Sequence, residues 1–119
     1  MPPERSAVEE FLPLPPATFH ILLALMDQDR HGYAIIQDVE ARTRGELRMS
    51  AGTLYRSIAR MVEQGLINEV VKRRSIADDA RRRYYSLTPL GRACARGEMR
   101  RLSELVRLAR QRGLTPETP

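Results

Sequence analysis

The sequence predicts a mainly α-helical fold with a small β-hairpin, and two observations carry that prediction. The chain has 119 residues, 42% of them hydrophobic, which is typical of one compact domain. Three stretches of helical periodicity are followed by two β-favouring runs and a last helical stretch. This order is that of a winged helix-turn-helix with an added C-terminal helix.

An arm is predicted before the first helix. Residues 1–16 contain five prolines, which interrupt helices and strands, so we expect this segment to lie outside the core. The first helix follows over residues 17–27 and is apolar on nearly every side. A helix of this kind must be covered all round. We therefore expect one face on the core and another, with Phe19 and Leu22, against a second subunit.

The second predicted helix opens at His31 and ends at Gly45, a residue type common at helix C-termini. A polar turn is expected just before it, at residues 27–30. Tyr33 begins a row of residues at helical spacing, and we expect its ring to pack in the core. We interpret His20 and His31 as structural or surface residues rather than as ligands or bases.

The third predicted helix, residues 51–64, carries candidate contacts on its outer face. Ser50 precedes it and is a good N-cap. Leu54, Ile58 and Met61 form its buried stripe, so the helical rotation turns polar residues outward. An ordinary solvated face is the alternative, but a tyrosine is costly to leave exposed without a partner. The candidate DNA contacts here are Ser50, Thr53, Tyr55, Arg56 and Arg60.

Two β-favouring runs, residues 66–72 and 84–88, predict a hairpin. Residues 73–83 between them are polar and charged, so we expect a long tip. The cations that flank this tip are suited to following a phosphate backbone or entering a minor groove. Protection of the sheet edge is the alternative, but it rarely needs so many charges of one sign. The candidate residues are Lys72, Arg73, Arg74, Arg81, Arg82 and Arg83.

The last predicted helix spans residues 89–112, with Thr88 as its N-cap and Pro89 at its first helical position. Its apolar arc has nothing left to cover in a domain whose core is already filled by three helices and a hairpin. We therefore expect a partner subunit to cover it. The candidate interface residues on this helix are Met99, Leu102, Leu105, Val106 and Ala109.

Charge is segregated along the chain. Residues 1–69 carry a net charge of −3 and residues 70–112 one of +9, which is typical of a protein that meets a polyanion along one surface. No apolar run approaches the roughly 20 residues of a membrane span, and the N-terminus does not resemble a secretory signal. We therefore expect a cytoplasmic, nucleoid-associated protein with no membrane partner.

Site chemistry of other kinds finds no support in the sequence. With one cysteine and two histidines, the chain has no cluster at zinc-ligand spacing, and it has no nucleophile–base or phosphate-loop pattern. We therefore expect no metal, no cofactor and no enzymatic activity. Cys94 lies among apolar residues of the last helix, where we expect a small hydrophobe rather than a redox sensor.

Four short segments resemble, in order and spacing, the signature segments of PadR-type transcriptional regulators. They read HGYAI at residues 31–35, SAGTLY at 50–55, EQGLI at 63–67 and YSLTPLG at 85–91. The resemblance covers residues 14–91, and the single final helix is similar to that of the short-tailed PadR subfamily. One departure is Arg56, where family members commonly carry proline.

The resemblance implies several functional properties. PadR-type proteins are homodimers joined through their N-terminal and C-terminal helices, they bind inverted repeats in double-stranded DNA, and many respond to phenolic or planar hydrophobic compounds near the dimer interface. Because this chain has no tryptophan, stacking of a small hydrophobic or aromatic effector would need Phe11, Phe19 or a tyrosine.

A homodimeric, ligand-responsive transcriptional repressor is the first hypothesis. The alternative is a winged-helix protein-interaction module without regulated DNA binding, since this fold hosts both functions. An RNA-binding winged helix is disfavoured because the sequence predicts too few exposed aromatics to stack unpaired bases. The expected organisation is an arm at 1–16, a DNA-binding domain at 17–88, a dimerisation helix at 89–112 and a tail at 113–119.

Overall fold

The computed structural model describes residues 4–75 and 78–117, and the side chains of residues 72–82 lie outside that description. Five helices and a three-stranded antiparallel sheet form this part of the chain, which confirms the predicted fold class. The helices are α1 Arg5–Glu9, α2 Pro16–Ala24, α3 Gly32–Arg42, α4 Ala51–Glu63 and α5 Pro89–Gln111. The strands are β1 Arg30–His31, β2 Ile67–Ser75 and β3 Asp78–Leu87.

Local hydrogen bonds and two glycines fix the ends of α3 and α4. His31 Nδ1 accepts the backbone N–H three residues further on at 3.2 Å, and Ser50 Oγ does the same at 3.1 Å. After the helices end, Gly45 and Gly65 have φ values of +78° and +79°, which glycine adopts without steric cost. The predicted N-cap Ser50 and the predicted glycine stops of both helices are therefore confirmed, and His31 is an N-cap that the sequence did not predict.

The core lies between the helices and the base of the sheet. Leu54, Ile58 and Met61 of α4 point into it, which confirms the predicted stripe. From α2, Ile21 and Leu22 have no exposed surface. The placement of Leu22 at a subunit interface is therefore wrong, because its side chain is already enclosed by its own chain.

The orientation of α3 differs from the prediction. Ile35 and Val39 are buried, whereas Tyr33 is 63% exposed, so the prediction that Tyr33 packs in the core is wrong. The helix begins only at Gly32, which places Tyr33 in its first turn. Because Ile35 and Val39 set the buried face, the ring of Tyr33 projects from the surface.

The sheet has the order β1-β3-β2, so a third strand joins the predicted hairpin. Arg30 and His31 pair with Tyr85 and Tyr84 of β3, where the sequence predicts the end of a polar turn and the start of a helix. A strand of two residues is too short to leave an alternating pattern in the sequence. The rings of His31 and Tyr84 meet edge to face at 5.5 Å, which confirms a structural role for this histidine.

β2 and β3 continue well beyond the predicted hairpin. Their pairing runs from Ile67 opposite Leu87 to Ser75 opposite Asp78, with an irregularity between Arg73 and Ser75. The long irregular tip predicted for residues 73–83 is therefore wrong where the structure describes that stretch. Backbone N–H and C=O groups pair whatever charge the side chains carry, so a polar sequence does not end the ladder.

α5 is anchored at its start and free at its end. Thr88 Oγ1 accepts the Gly91 N–H at 3.0 Å and donates to the Gly65 carbonyl oxygen at 2.6 Å. A Cβ at Gly91 would lie 3.0 Å from the Leu66 carbonyl carbon, so the two backbones are in direct contact. Cys94 is buried, but no residue within 99–117 is. None of the helices in the described ranges is long and apolar enough to span a membrane.

The N-terminal segment is packed against α5. Val8 and Leu14 are buried, and a Cβ at Gly97 would lie 2.9 Å from Val8 Cγ1. The Leu14 N–H donates to Glu98 Oε1 at 3.2 Å. The prediction that residues 1–16 lie outside the core is thus wrong for these two side chains, because Val8 of α1 packs against α5 at Gly97 and Leu14 is tied to the same helix through Glu98.

Candidate nucleic-acid interface

The outward face of α4 presents the polar side chains that the sequence assigns to it. Tyr55 is 50% exposed, and Arg56 and Arg60 are exposed beside it. Thr53 Oγ1 accepts hydrogen bonds from Ser50 Oγ at 3.0 Å and from Arg56 Nη2 at 3.4 Å. Among the described residues, no carboxylate pairs with Arg56 or Arg60. Both guanidiniums are therefore available to an anion.

The outer part of the β2–β3 hairpin, residues 71–75 and 78–83, is called the wing below. Its register places Lys72 opposite Arg82 and Arg73 opposite Arg81. Like charges directly opposite each other destabilise a strand pair, so this register favours an anionic partner. The Arg83 side chain is 74% exposed, with its Nε 3.3 Å from Glu69 Oε1. The side chains of Lys72, Arg73, Arg74, Arg81 and Arg82 lie outside the described part of the structure.

A cleft of about 470 Å³ separates the N-terminal segment from α4. Phe11 and Leu14 line one side, Arg56 and Arg60 the other, and Glu10 adds a carboxylate. This volume is within the range of small-molecule sites. The sequence did not indicate the cleft, because its two sides are far apart in the chain and meet only when α1 packs on α5.

The second half of α5 carries a row of exposed apolar side chains. Met99, Leu105 and Val106 are all at least half exposed, and Leu102 is 38% exposed, while Ala109 is half-buried. No described residue of the same chain covers this row. Phe19, the other candidate at an interface, is half-buried and packs on the core.

The comparisons with known proteins agree with this fold. Residues 21–96 match the transcriptional regulator PadR-like family. The chain belongs to this family. A transcriptional regulator of Mycobacterium tuberculosis (strain ATCC 25618 / H37Rv) is 36% identical to this PadR-like chain over 88 residues, which are 74% of this chain and 77% of the relative. An uncharacterized protein of Lysinibacillus sphaericus is 32% identical over 87 residues, 73% of this chain and 72% of that protein.

Solved structures of PadR proteins have the same fold. A PadR family transcription regulator from Clostridium difficile R20291 superposes with a TM-score of 0.68 at 26% identity, covering 80% of this chain and 95% of that one. Bacillus subtilis PadR in complex with operator DNA superposes with a TM-score of 0.61 at 16% identity, covering 69% of this chain and 46% of that one. The PadR-like family comprises transcription regulators rather than enzymes.

Other site chemistry in this PadR-like chain is limited. Cys94 is fully buried, and burial raises the pKa of its thiol, as expected for a small core side chain. No group of three or more metal-ligating side chains occurs in residues 4–75 and 78–117. Besides the cleft beside the N-terminal segment, the exposed ring of Tyr33 is a feature of the α4 surroundings that the sequence did not predict.

Proposed function

We propose that this PadR-like chain acts as a homodimer that binds an inverted-repeat operator in double-stranded DNA, represses transcription there, and is released by a small effector. The outward face of α4 carries the DNA-binding part of the proposal. There, an exposed tyrosine and two arginines without carboxylate partners in the described structure share a surface. A helix face that only meets solvent does not require an exposed tyrosine and two such arginines next to a second cationic element, the wing.

α4 is the element that we assign to the major groove. Arg56 and Arg60 can each donate two hydrogen bonds to the edge of a guanine, and the hydroxyls of Thr53 and Tyr55 can add single bonds. Ser50 caps the helix at the end where free backbone amides favour a phosphate. Side chains of several chemical types along one helix face support sequence reading rather than simple charge attraction.

The wing is assigned to the DNA backbone. The paired register of Lys72 with Arg82 and Arg73 with Arg81 concentrates positive charge on a narrow two-stranded element. Binding to a phosphate backbone would offset the repulsion between these paired cations. It would also release the counterions that are condensed on the DNA. Arg83, which is exposed and pairs with Glu69, lines a cleft together with Tyr55 of α4 and so places one wing arginine beside that helix.

The exposed row on α5 is assigned to the second subunit. Two subunits that associate through the same patch are related by a two-fold axis. The two copies of α4 then lie in opposite orientations and fit the two half-sites of an inverted repeat. This supports the organisation with a DNA-binding domain at 17–88 and a dimerisation helix at 89–112. Residues 1–16 keep the name of an arm, although two of their side chains lie in the core.

The effector is assigned to the cleft between the N-terminal segment and α4. Phe11 offers an aromatic surface there, and Arg56 and Arg60 belong both to the cleft and to the proposed DNA face. A hydrophobic or aromatic compound in the cleft would compete with DNA for the arginines. Because the two sites share these arginines, this geometry supports a mechanism in which effector binding displaces DNA within the same subunit.

A gel shift tests the proposal. The probe is the DNA upstream of the protein's own gene, with a scrambled duplex of equal length and composition as the control and excess nonspecific duplex in both. Retention of the upstream duplex alone is expected. If the excess nonspecific duplex displaces both probes equally, the protein-interaction alternative is favoured. Repression is checked by transcription in vitro from the same promoter, which should decline as protein is added.

A further inference from the structure

Two exposed tyrosines lie together where α3 begins, next to the outward face of α4. Tyr33 and Tyr55 line one cleft of about 370 Å³ with Gly32, Arg83 and Tyr85. Single exposed apolar groups are common, but neighbouring large ones mark contact surfaces. Tyrosine also suits a partner that is apolar on one side and polar on the other. The sequence predicts an exposed Tyr55 but not an exposed Tyr33, so these two neighbouring rings need an explanation.

Gly32 provides the space that Tyr55 occupies. A Cβ at position 32 would lie 2.8 Å from Tyr55 Cζ, which is shorter than van der Waals contact. The Tyr55 ring therefore rests directly on the backbone at the start of α3. Gly32 is not among the residues with positive φ, so its missing side chain provides room rather than backbone freedom.

The cleft combines hydroxyl groups with one guanidinium. Arg83 lines the cleft, where its side chain is 74% exposed and its Nε lies 3.3 Å from Glu69 Oε1. Tyr85 lines the same cleft, and burial, followed by the nearby Glu69, raises the pKa of its hydroxyl, so this group remains a neutral donor. Tyrosine hydroxyls and arginine commonly donate to phosphate oxygens in DNA complexes. An exposed ring such as that of Tyr33 can lie against the adjoining deoxyribose.

We infer that Tyr33 and Arg83 clamp one phosphodiester of the duplex whose bases face α4, and that Gly32 is a positioning residue that holds Tyr55 at the edge of the groove. The inference rests on the proposed function and adds Tyr33 and Gly32 to it. A duplex backbone is favoured over other partners because the cleft adjoins both the α4 face, through Tyr55, and the inner end of the wing, through Arg83. The clamp would fix the depth at which α4 enters the groove.

The clamp is tested by removing the Tyr33 hydroxyl. Tyr33→Phe, Tyr33→Ala and the control Gln37→Ala, which alters an exposed residue of the same helix, are titrated with upstream and scrambled duplexes at several salt concentrations. Tyr33→Phe should weaken binding to both duplexes about fivefold, as for one lost hydrogen bond. The salt slope should stay constant because tyrosine carries no charge, whereas Arg83→Gln should lower it by about one.

The positioning role of Gly32 is tested by a double-mutant cycle. Gly32→Ala should displace the Tyr55 ring and reduce the preference for the upstream duplex as much as Tyr55→Ala does. In the Tyr55→Ala background the added methyl group meets no ring, so Gly32→Ala should change neither binding nor melting temperature further. This second background keeps the test valid if Gly32→Ala alone is poorly folded.

The outcomes separate this inference from the proposed function. Equal binding of both duplexes by the wild type would contradict sequence-specific regulation. The Tyr33 variants would still test the clamp, because the phosphate contact is present on either duplex. If the wild type prefers the upstream duplex and both Tyr33 variants behave like Gln37→Ala, only the clamp is wrong. Tyr33 variants that lose single-stranded RNA binding but keep duplex binding would also overturn it. Additive losses in the double mutant would refute the positioning role of Gly32.

Discussion

At the scale of single residues, Glu98 shows how this small fold keeps a carboxylate in its interior. Glu98 is almost fully buried, yet Arg101 Nε and Nη2 donate to its two oxygens at 2.9 and 2.6 Å, and the Leu14 N–H donates at 3.2 Å. The Arg101 hydrogen bond holds the pKa of Glu98 below its usual range, against the opposing effect of burial. A charged Glu98 therefore ties the N-terminal segment to α5.

This bond makes stability depend on pH. Because the folded-state pKa of Glu98 is depressed, its contribution is present above the unfolded value near 4.5 and is lost as the pH falls through the folded value. The melting temperature of the wild type should decline more steeply below about pH 5 than that of Glu98→Gln. Glu104→Gln, in an exposed pair with Arg107, is the matched control. Equal declines for wild type and Glu98→Gln would contradict the role of this charge.

Substitutions at Tyr55 and Arg56 distinguish an effect on base recognition from an effect on folding. Tyr55→Ala or Arg56→Ala should weaken binding to the operator by about 1–3 kcal/mol and to a scrambled duplex much less. The melting temperature should hardly change, because both side chains are exposed. Calorimetric titration and melting curves measure the two effects, with the exposed Glu63→Ala as control. A lower melting temperature with unchanged preference would assign the side chain to structural support.

Some residues of this site could be predicted from the sequence and others could not. Leu54, Ile58 and Met61 fix the orientation of α4, so the outward position of Arg56 and Arg60 follows from periodicity alone. Tyr33 could not be placed in the same way, because an aromatic residue in a first helical turn fits either face. Only the packing of Ile35 and Val39 decides its direction.

At the scale of elements, we expect the wing to set the salt dependence of DNA binding. Affinity should fall by orders of magnitude between about 50 and 200 mM salt, because many phosphate contacts release counterions. Replacing Arg81, Arg82 and Arg83 by alanine should weaken binding to all duplexes and flatten the salt slope. The matched control removes three exposed arginines of α5, Arg92, Arg96 and Arg100. If the control flattens the slope equally, net charge rather than the wing sets it.

Helices were easier to predict than strands in this chain. Ser50 and Gly65 mark the ends of α4 because capping is a local interaction. β1 consists of Arg30 and His31, and its existence depends on β3 more than 50 residues later in the chain. The length of the wing likewise depends on backbone hydrogen bonds between β2 and β3. The charged side chains of these strands do not show where that pairing ends.

At the scale of the whole molecule, the proposed assembly depends on the exposed apolar row on α5. Leu102→Asp should give a folded monomer by light scattering, because Leu102 is partly exposed in the single chain, whereas a dimer would bury an unpaired charge from each subunit. Specific DNA binding should be abolished, since two half-sites are no longer held about one helical turn apart. Ser103→Asp, exposed and next to it, is the control. A Leu102→Asp dimer with unchanged affinity would move the interface to the Phe19 region.

In the proposed dimer, the free end of α5 would couple association to local folding. Residues 99–111 form the part of α5 without a buried side chain, about 20 Å of helix at 1.5 Å per residue. An isolated helix of that length is only marginally stable in water. In the proposed dimer the second subunit should therefore slow the exchange of these amide hydrogens, whereas those before Glu98 are protected within each chain. Dilution of that dimer should fray the C-terminal half of the helix and leave the winged domain folded.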